Sequence, residues 1–262
     1  PGPVHLSVPV DIMFSSFPAD AQLDERPHLH SPRPAPRAWP DPDDLQTVIS
    51  TLQKSERPIL IGGHGVWWSG AEAKLEEAGK TLGIPIFNIP SPQKLLPETS
   101  AASMGLADIH QYGPSANALQ EADVVVMVGG RLDNQMNFGN PPLFPASCEL
   151  ICVNGSAEET ELNRAADQIL LSDPSAFFDA LLDLSASGVW QEKGDWMERQ
   201  RTQRGEWVAK TVAEMAQDTT PGQGAHPLQL ALQVQDAMGV DDWLVIDGGN
   251  THFWSESAVN IA

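Results

Sequence analysis

The feature that most constrains this chain is a run near its middle, Asp123-Val124-Val125-Val126-Met127-Val128-Gly129-Gly130, whose apolar stretch has no polar position on either face. A strand of that kind must be covered on both sides, as in a parallel sheet between helical layers. Pro58-Ile59-Leu60-Ile61-Gly62 repeats the pattern, Ile84 to Ile89 predicts another strand with Pro85 near its start, and Glu149 to Asn154 a further one. Gln168 to Leu171 is a weaker version. Helical segments alternate with these strands. Asp43 and Asp44 open one that reaches about Lys54, with acid where the helix dipole favours it. Trp68 to Leu82 places Leu75, Ala78 and Leu82 on one side, Pro114 to Glu121 carries proline at its start, and Asp173-Pro174 begins a helix to about Leu184. The spacing predicts an α/β fold with a Rossmann-like parallel sheet flanked by helices. Such sheets bind ligands where strand C-termini meet helix N-termini.

Composition narrows the function. Of 262 residues, 15 are Lys or Arg and 35 are Asp or Glu, a net charge of −20. That field repels phosphate backbones and anionic lipid, which argues against nucleic-acid and membrane-surface partners. An anionic small molecule then needs a local arginine or backbone N–H groups. No apolar run approaches the ~18–20 residues of a membrane span, and no charged-then-apolar leader opens the chain. Cys148 and Cys152 are the two cysteines; four apart on one strand, they are too distant for a disulfide and read as core. A reducing cytoplasm is the expected compartment. The seven histidines show no metal-ligand spacing, and no GxSxG, Walker A or kinase pattern occurs.

The chain is punctuated at several points. Residues 18–42 include Pro18, Pro27, Pro32, Pro34, Pro36, Pro40 and Pro42 and form an extended connector, or a segment hugging a domain surface. Before it, Val4, Leu6, Val8, Val10 and Ile12 alternate with more polar residues and predict a strand. Residues 190–217 read as one long polar helix or a pair, anchored by Trp190, Trp196 and Trp207, and Gly222-Gln223-Gly224 breaks the chain before a new unit at His226-Pro227. The final stretch, with Val245 and Ile246 as a strand, then a glycine turn and a helix start, reads like the beginning of a domain. Both ends resemble domain interiors, so the expectation is an internal segment of a larger protein.

Three glycine turns are the candidate binding elements. Gly62-Gly63-His64-Gly65 follows a strand and precedes a helix; its N–H groups can cradle a phosphate, or it is a tight turn without ligand. Gly129-Gly130-Arg131-Leu132-Asp133 places a forked donor at a strand end, to pair with a diphosphate or with Asp133 or Asp123. Asp247-Gly248-Gly249-Asn250-Thr251-His252 combines a glycine turn with polar side chains at a helix start. All three readings as anion seats require backbone N–H groups that are not already bonded within the polypeptide.

In order along the chain, GPVHLSVPVDI, RPILIGGHG, ADVVVMVGGRLD, FGNPP, ELICVNGSAEETELNR and HPLQLALQVQDAMGVDDWLVIDGGNTHFW resemble a thiamine diphosphate-dependent enzyme of the 2-hydroxyacyl-CoA lyase, oxalyl-CoA decarboxylase and acetolactate synthase group. The resemblance implies the end of a pyrimidine-binding domain at 1–17, the connector at 18–42, and a middle nucleotide-binding-like domain at 43–187. A helical linker at 188–224 and the start of a diphosphate-binding domain at 225–262 complete the expected order. It implies thiamine diphosphate held by Gly248, Gly249, Asn250, Thr251 and His252. Gly63, His64, Gly65, Arg131 and Asn154 would line a site for CoA, ADP or FAD, with Asn154 standing where relatives carry a ribose-binding acid. Asn134 and Gln135 replace the charged pair of the FAD-binding synthases, which favours the CoA-thioester enzymes. The activating glutamate and the GDG…N motif for Mg2+ belong outside the segment, so no residue here is assigned a catalytic role. The implied activity is cleavage or formation of the C–C bond of a 2-hydroxyacyl-CoA, giving an acyl-CoA of the formyl-CoA type and a carbonyl compound, in a homodimer or homotetramer. An acetolactate synthase or benzaldehyde lyase-like carboligase, or a non-catalytic nucleotide-binding module, are the alternatives.

Overall fold

The computed structural model describes residues 5–16, 36–89, 95–97, 100–108, 114–217, 226–239, 242–249 and 255. The chain divides into two compact units, Pro1–Arg37 and Ala38–Ala262.

The described residues of the first unit hold one helical turn, α1 (Val10–Met13), rather than the strand that alternation predicted. The Met13 N–H donates to the Pro9 carbonyl at 3.0 Å and the Phe14 N–H to that of Val10 at 3.1 Å. A period-2 pattern makes a strand only when its ladder is paired and its apolar face covered. Val10, Ile12 and Met13 are exposed instead, and local bonds prevail.

The second unit is built on a six-stranded sheet in the order β3-β2-β1-β4-β5-β6, with every neighbouring pair parallel. Its strands are β1 (Pro58–Gly62), β2 (Ile86–Asn88), β3 (Ser103–Leu106), β4 (Val124–Val128), β5 (Glu149–Asn154) and β6 (Gln168–Leu171). The helices of this unit are α2 (Pro42–Lys54), α3 (His64–Ser69), α4 (Glu72–Leu82), α5 (Pro114–Glu121), α6 (Pro174–Leu184), α7 (Gly194–Gln217) and α8 (Pro227–Ala237). This strand order is that of dinucleotide-binding sheets.

Local chemistry accounts for most of these boundaries. Asp41 caps α2, its Oδ1 accepting from the Asp43 N–H at 2.9 Å, and Pro42 occupies the first turn, where its missing N–H costs nothing. Asp173 caps α6 in the same way, accepting from Ser175 and Ala176 ahead of Pro174. The helix expected over Trp68 to Leu82 is two helices, because Gly70 turns left-handed (φ 63°) and ends α3. β3 was not anticipated: Ser103-Met104-Gly105-Leu106 lacks an apolar run and is a strand only because β2 pairs with it. Residues 242–247 are not the strand expected there. Trp243 and Val245 are more than nine-tenths exposed, and no described strand lies alongside them to complete a ladder.

Both faces of the sheet are covered. Leu60, Val126 and Val153 meet α2, α4 and α6 through Leu52, Leu75 and Phe177. Ile61, Val125, Met127 and Cys152 meet α5 and α7 through Leu119 and Trp196. Each such aliphatic side chain contributes ~1.5–3 kcal/mol by leaving water, which is why the all-apolar strands lie at the centre of the sheet. The connection leaving β1 crosses to the first face, and the one leaving β4 to the second. Their divergence puts a topological switch point between Gly62 and Val128, which are paired in register. No described helix is long and apolar enough to cross a membrane.

Candidate functional site

At the switch point the first two glycine turns pack against each other. The Gly63 N–H donates to the Val128 carbonyl at 2.9 Å, the Gly65 N–H to that of Gly129 at 2.8 Å, and the Gly129 N–H to that of Val153 at 2.8 Å. A Cβ on Gly63 would sit 2.4 Å from Gly130 Cα, and one on Gly65 would sit 2.7 Å from Gly129 Cα. Glycine is required here so that two backbones can meet. The expectation that these three amides are seats for phosphate oxygens is therefore overturned. Backbones this close place a neighbouring carbonyl nearer than any ligand could come, and a buried N–H takes the acceptor at hand.

What the edge offers a ligand is side chains. Arg131 follows the paired turns and is well exposed, with Nε 3.3 Å from Glu159 Oε2. Glu159 is its partner rather than either aspartate named from the sequence. Asp133 accepts from the Gln135 N–H at 3.0 Å. Asp123 accepts from the Ser55 hydroxyl and from the N–H groups of Glu56 and Arg57. Asn154, at the end of β5, donates from Nδ2 to the Gly130 carbonyl at 3.3 Å and accepts the Ser156 N–H at Oδ1, 3.2 Å away. An ionised acid could perform only the second role, since it has no proton to donate. His64 opens α3 and is exposed.

The structure thus gathers Gly63, Gly65, Gly129, Gly130 and Asn154 in one contact network, with Arg131 beside it. Sequence reasoning missed Glu159, Asn163 and Arg164, all on the connection between β5 and β6. Asn163 Nδ2 donates to the Leu132 carbonyl at 2.6 Å, and the Arg164 guanidinium donates to the carbonyls of Gly139 and Cys148. The stretch GSAEETELNR was visible, but nothing local indicates that its polar side chains turn back onto a loop some 25 residues earlier. Cys148 and Cys152 are core, as expected; burial pushes both thiols up to about 12, against the opposing pull of Arg164.

The third turn is described only in part. Gly249 has a left-handed φ of 92°, and the Gly248 N–H donates to Asp247 Oδ1 at 2.8 Å. Asn250, Thr251 and His252 lie outside the described residues. Among the described residues no group of three His, Cys, Asp or Glu side chains could hold a metal. An open cavity of about 420 Å³ lies at the other end of the strands, beside Trp196, whose indole N–H donates to the Pro58 carbonyl at 3.0 Å. Glu56, Glu192 and Asp195 line it against the single cation Lys193, a balance that does not suit an anionic ligand.

Comparison with known proteins places this geometry. The family model described as the thiamine pyrophosphate enzyme central domain matches residues 45–181. The chain is 26% identical to 2-hydroxyacyl-CoA lyase 1 of Mus musculus over 255 residues, covering 96% of this chain and 41% of that protein. Against oxalyl-CoA decarboxylase of Escherichia coli K12 it is 25% identical over 253 residues, covering 96% of this chain and 43% of the relative. The chain therefore spans less than half the length of these relatives. Among solved structures, benzoylformate decarboxylase from Polynucleobacter necessarius superposes with a TM-score of 0.65 at 17% identity, covering 88% of this chain and 40% of that one, a likeness of fold.

Proposed function

The chain belongs to the thiamine pyrophosphate enzymes, whose central domain it carries at residues 45–181, and on that premise we propose that the whole protein is a C–C lyase or carboligase acting on a 2-hydroxyacyl-CoA. It cleaves or forms the bond beside the carbonyl, giving an acyl-CoA and a carbonyl compound, with thiamine diphosphate and Mg2+ as cofactors. This segment's part is recognition: its described residues bind and orient the nucleotide end of the CoA thioester, and the proton-transfer groups lie elsewhere in the protein. ADP or FAD are the other nucleotides such a site accepts.

The observation that carries this reading is Arg131. Its exposed guanidinium stands at the carboxyl edge of a dinucleotide-type sheet, beside the switch point, where an anionic nucleotide finds a forked donor in an otherwise acidic protein. Two relatives with CoA-linked names, each matching 96% of the chain, support the choice of CoA. Asn134 and Gln135, in place of the charged pair of the FAD-binding synthases, support it as well.

Equilibrium dialysis of the intact protein with CoA tests the proposal. A charge-assisted hydrogen bond contributes ~1.5–3 kcal/mol, so Arg131→Ala should weaken CoA binding by about tenfold or more. Unchanged affinity overturns the site. A yellow flavin carried through purification would instead favour an acetolactate synthase-like carboligase. We further propose a cytoplasmic homodimer or homotetramer, which sedimentation of the full protein at monomer mass would refute.

A further inference from the structure

We propose that Asn163 and Arg164 are positioning residues that fix where Arg131 presents its guanidinium, so that nucleotide affinity is set partly from the connection between β5 and β6. This rests on the assignment of Arg131 to the nucleotide site.

The chain between β4 and β5, residues 129–148, contains no strand and only a short 3-10 turn at Asn137–Gly139. An irregular stretch of that length stays in one conformation only if other parts of the protein hold it. Two consecutive side chains do so at three carbonyls. Asn163 Nδ2 bonds the Leu132 carbonyl, one residue beyond Arg131, at 2.6 Å. Arg164 Nη1 bonds the Gly139 carbonyl at 2.8 Å, and Nη2 bonds that of Cys148. The grips fall near the start, in the middle and at the end of the loop.

Backbone conformation brings both grips to bear. Asn163 is left-handed (φ 72°), a conformation asparagine tolerates better than most residues. Gly139 is also left-handed (φ 77°), and a Cβ there would lie 2.6 Å from Leu132 Cδ1 and 3.2 Å from Arg164 Cδ. The Arg164 stem therefore lies against the loop, and Leu132, 3% exposed, is fixed both by its carbonyl and by its side chain. Val125, Leu132, Phe144 and Leu150 line the same small apolar pocket as Arg164. Without Arg164 the Gly139 and Cys148 carbonyls lose this charged donor. Lysine cannot replace it, because one ammonium lacks the fixed fork that reaches two carbonyls. Glu159, the partner of Arg131, sits on the same connection, so one segment both holds the loop and faces its charged group.

The test uses the full-length protein, with CoA as the titrant. Arg164→Lys and Asn163→Ala should each raise the CoA dissociation constant by about tenfold, and amides 131–140 should exchange faster with solvent in both. In an Arg131→Ala background the same changes should cost less than about twofold more, because residues acting through Arg131 have nothing left to position. Multiplying losses, or single variants that remain folded with CoA affinity within twofold of the parent, overturn the proposal. If Arg164→Lys does not fold, Asn163→Ala carries every arm. If the parent protein itself fails to bind CoA, the nucleotide reading is what fails. The positioning role is then judged by exchange alone, and unchanged protection at 131–140 refutes it.

Discussion

Arg131 Nε lies 3.3 Å from Glu159 Oε2, with the arginine side chain 59% exposed and the glutamate 34%. This cation beside the switch point is thus held by an acid from the next connection, with which any phosphate bound as proposed would compete.

Partly exposed ion pairs contribute only ~0.2–1 kcal/mol. Glu159→Gln should therefore tighten CoA binding by up to about fivefold at low ionic strength. Screening weakens both the pair and the ligand's attraction, so the gain should shrink as salt rises. Isothermal titration at two salt concentrations checks this, and a loss of affinity would show Glu159 to be part of the ligand's own contacts.

Gly63→Ala places a methyl 2.4 Å from Gly130 Cα and 2.5 Å from the Gly129 carbonyl oxygen, both backbone atoms that cannot swing aside. Overpacking of this kind costs ~1–3 kcal/mol or more. Gly248→Ala meets nothing within 4 Å and should change stability by less than ~0.5 kcal/mol. Urea unfolding of the two variants should give clearly separated midpoints; coincident midpoints would mean the paired turns can relax apart.

Asp123 ties the start of β1 to the start of β4 through the Ser55 hydroxyl and the N–H groups of Glu56 at 2.8 Å and Arg57 at 3.0 Å. Burial works against its charge, but these hydrogen bonds outweigh it and hold the carboxyl below its usual range. A carboxyl whose pKa is lower in the folded state than in the unfolded one stabilises the fold above the unfolded value, and that contribution disappears as pH falls through the folded value. Thermal melts should show Asp123→Asn less stable than the parent at neutral pH, with the difference narrowing toward acid. Parallel curves across the whole acid range would remove Asp123 from this role. Asp123→Ala, which orphans all three donors, should cost ~1–3 kcal/mol.

Strands β1, β4 and β5 were legible because uninterrupted apolar runs suit only a sheet buried on both faces, whereas β6, at the sheet edge with Leu171 exposed, gave a weaker signal. The starts of α2 and α6 were legible from their acidic and proline residues, which act within a few positions of themselves. β3 was not, because Ser103 to Leu106 becomes a strand only against β2. Residues 5–12 and 242–247 erred in the other direction. Their alternation promised ladders, and a ladder belongs to the pair of strands rather than to one.

The candidate site divides along the same line. The sequence by itself determined that glycine turns would close β1 and β4, that Arg131 would follow the second, and that the sheet would be parallel, since each of these depends on short-range pattern and on burial. Only the tertiary structure decided that the amides of Gly63, Gly65 and Gly129 bond to neighbouring carbonyls, that Glu159 faces Arg131 and that Asn163 and Arg164 grip the loop between them. Those partners are far apart along the chain, and a hydrogen bond or ion pair is chosen by distance in space, which the order of strands sets and no local run of residues encodes.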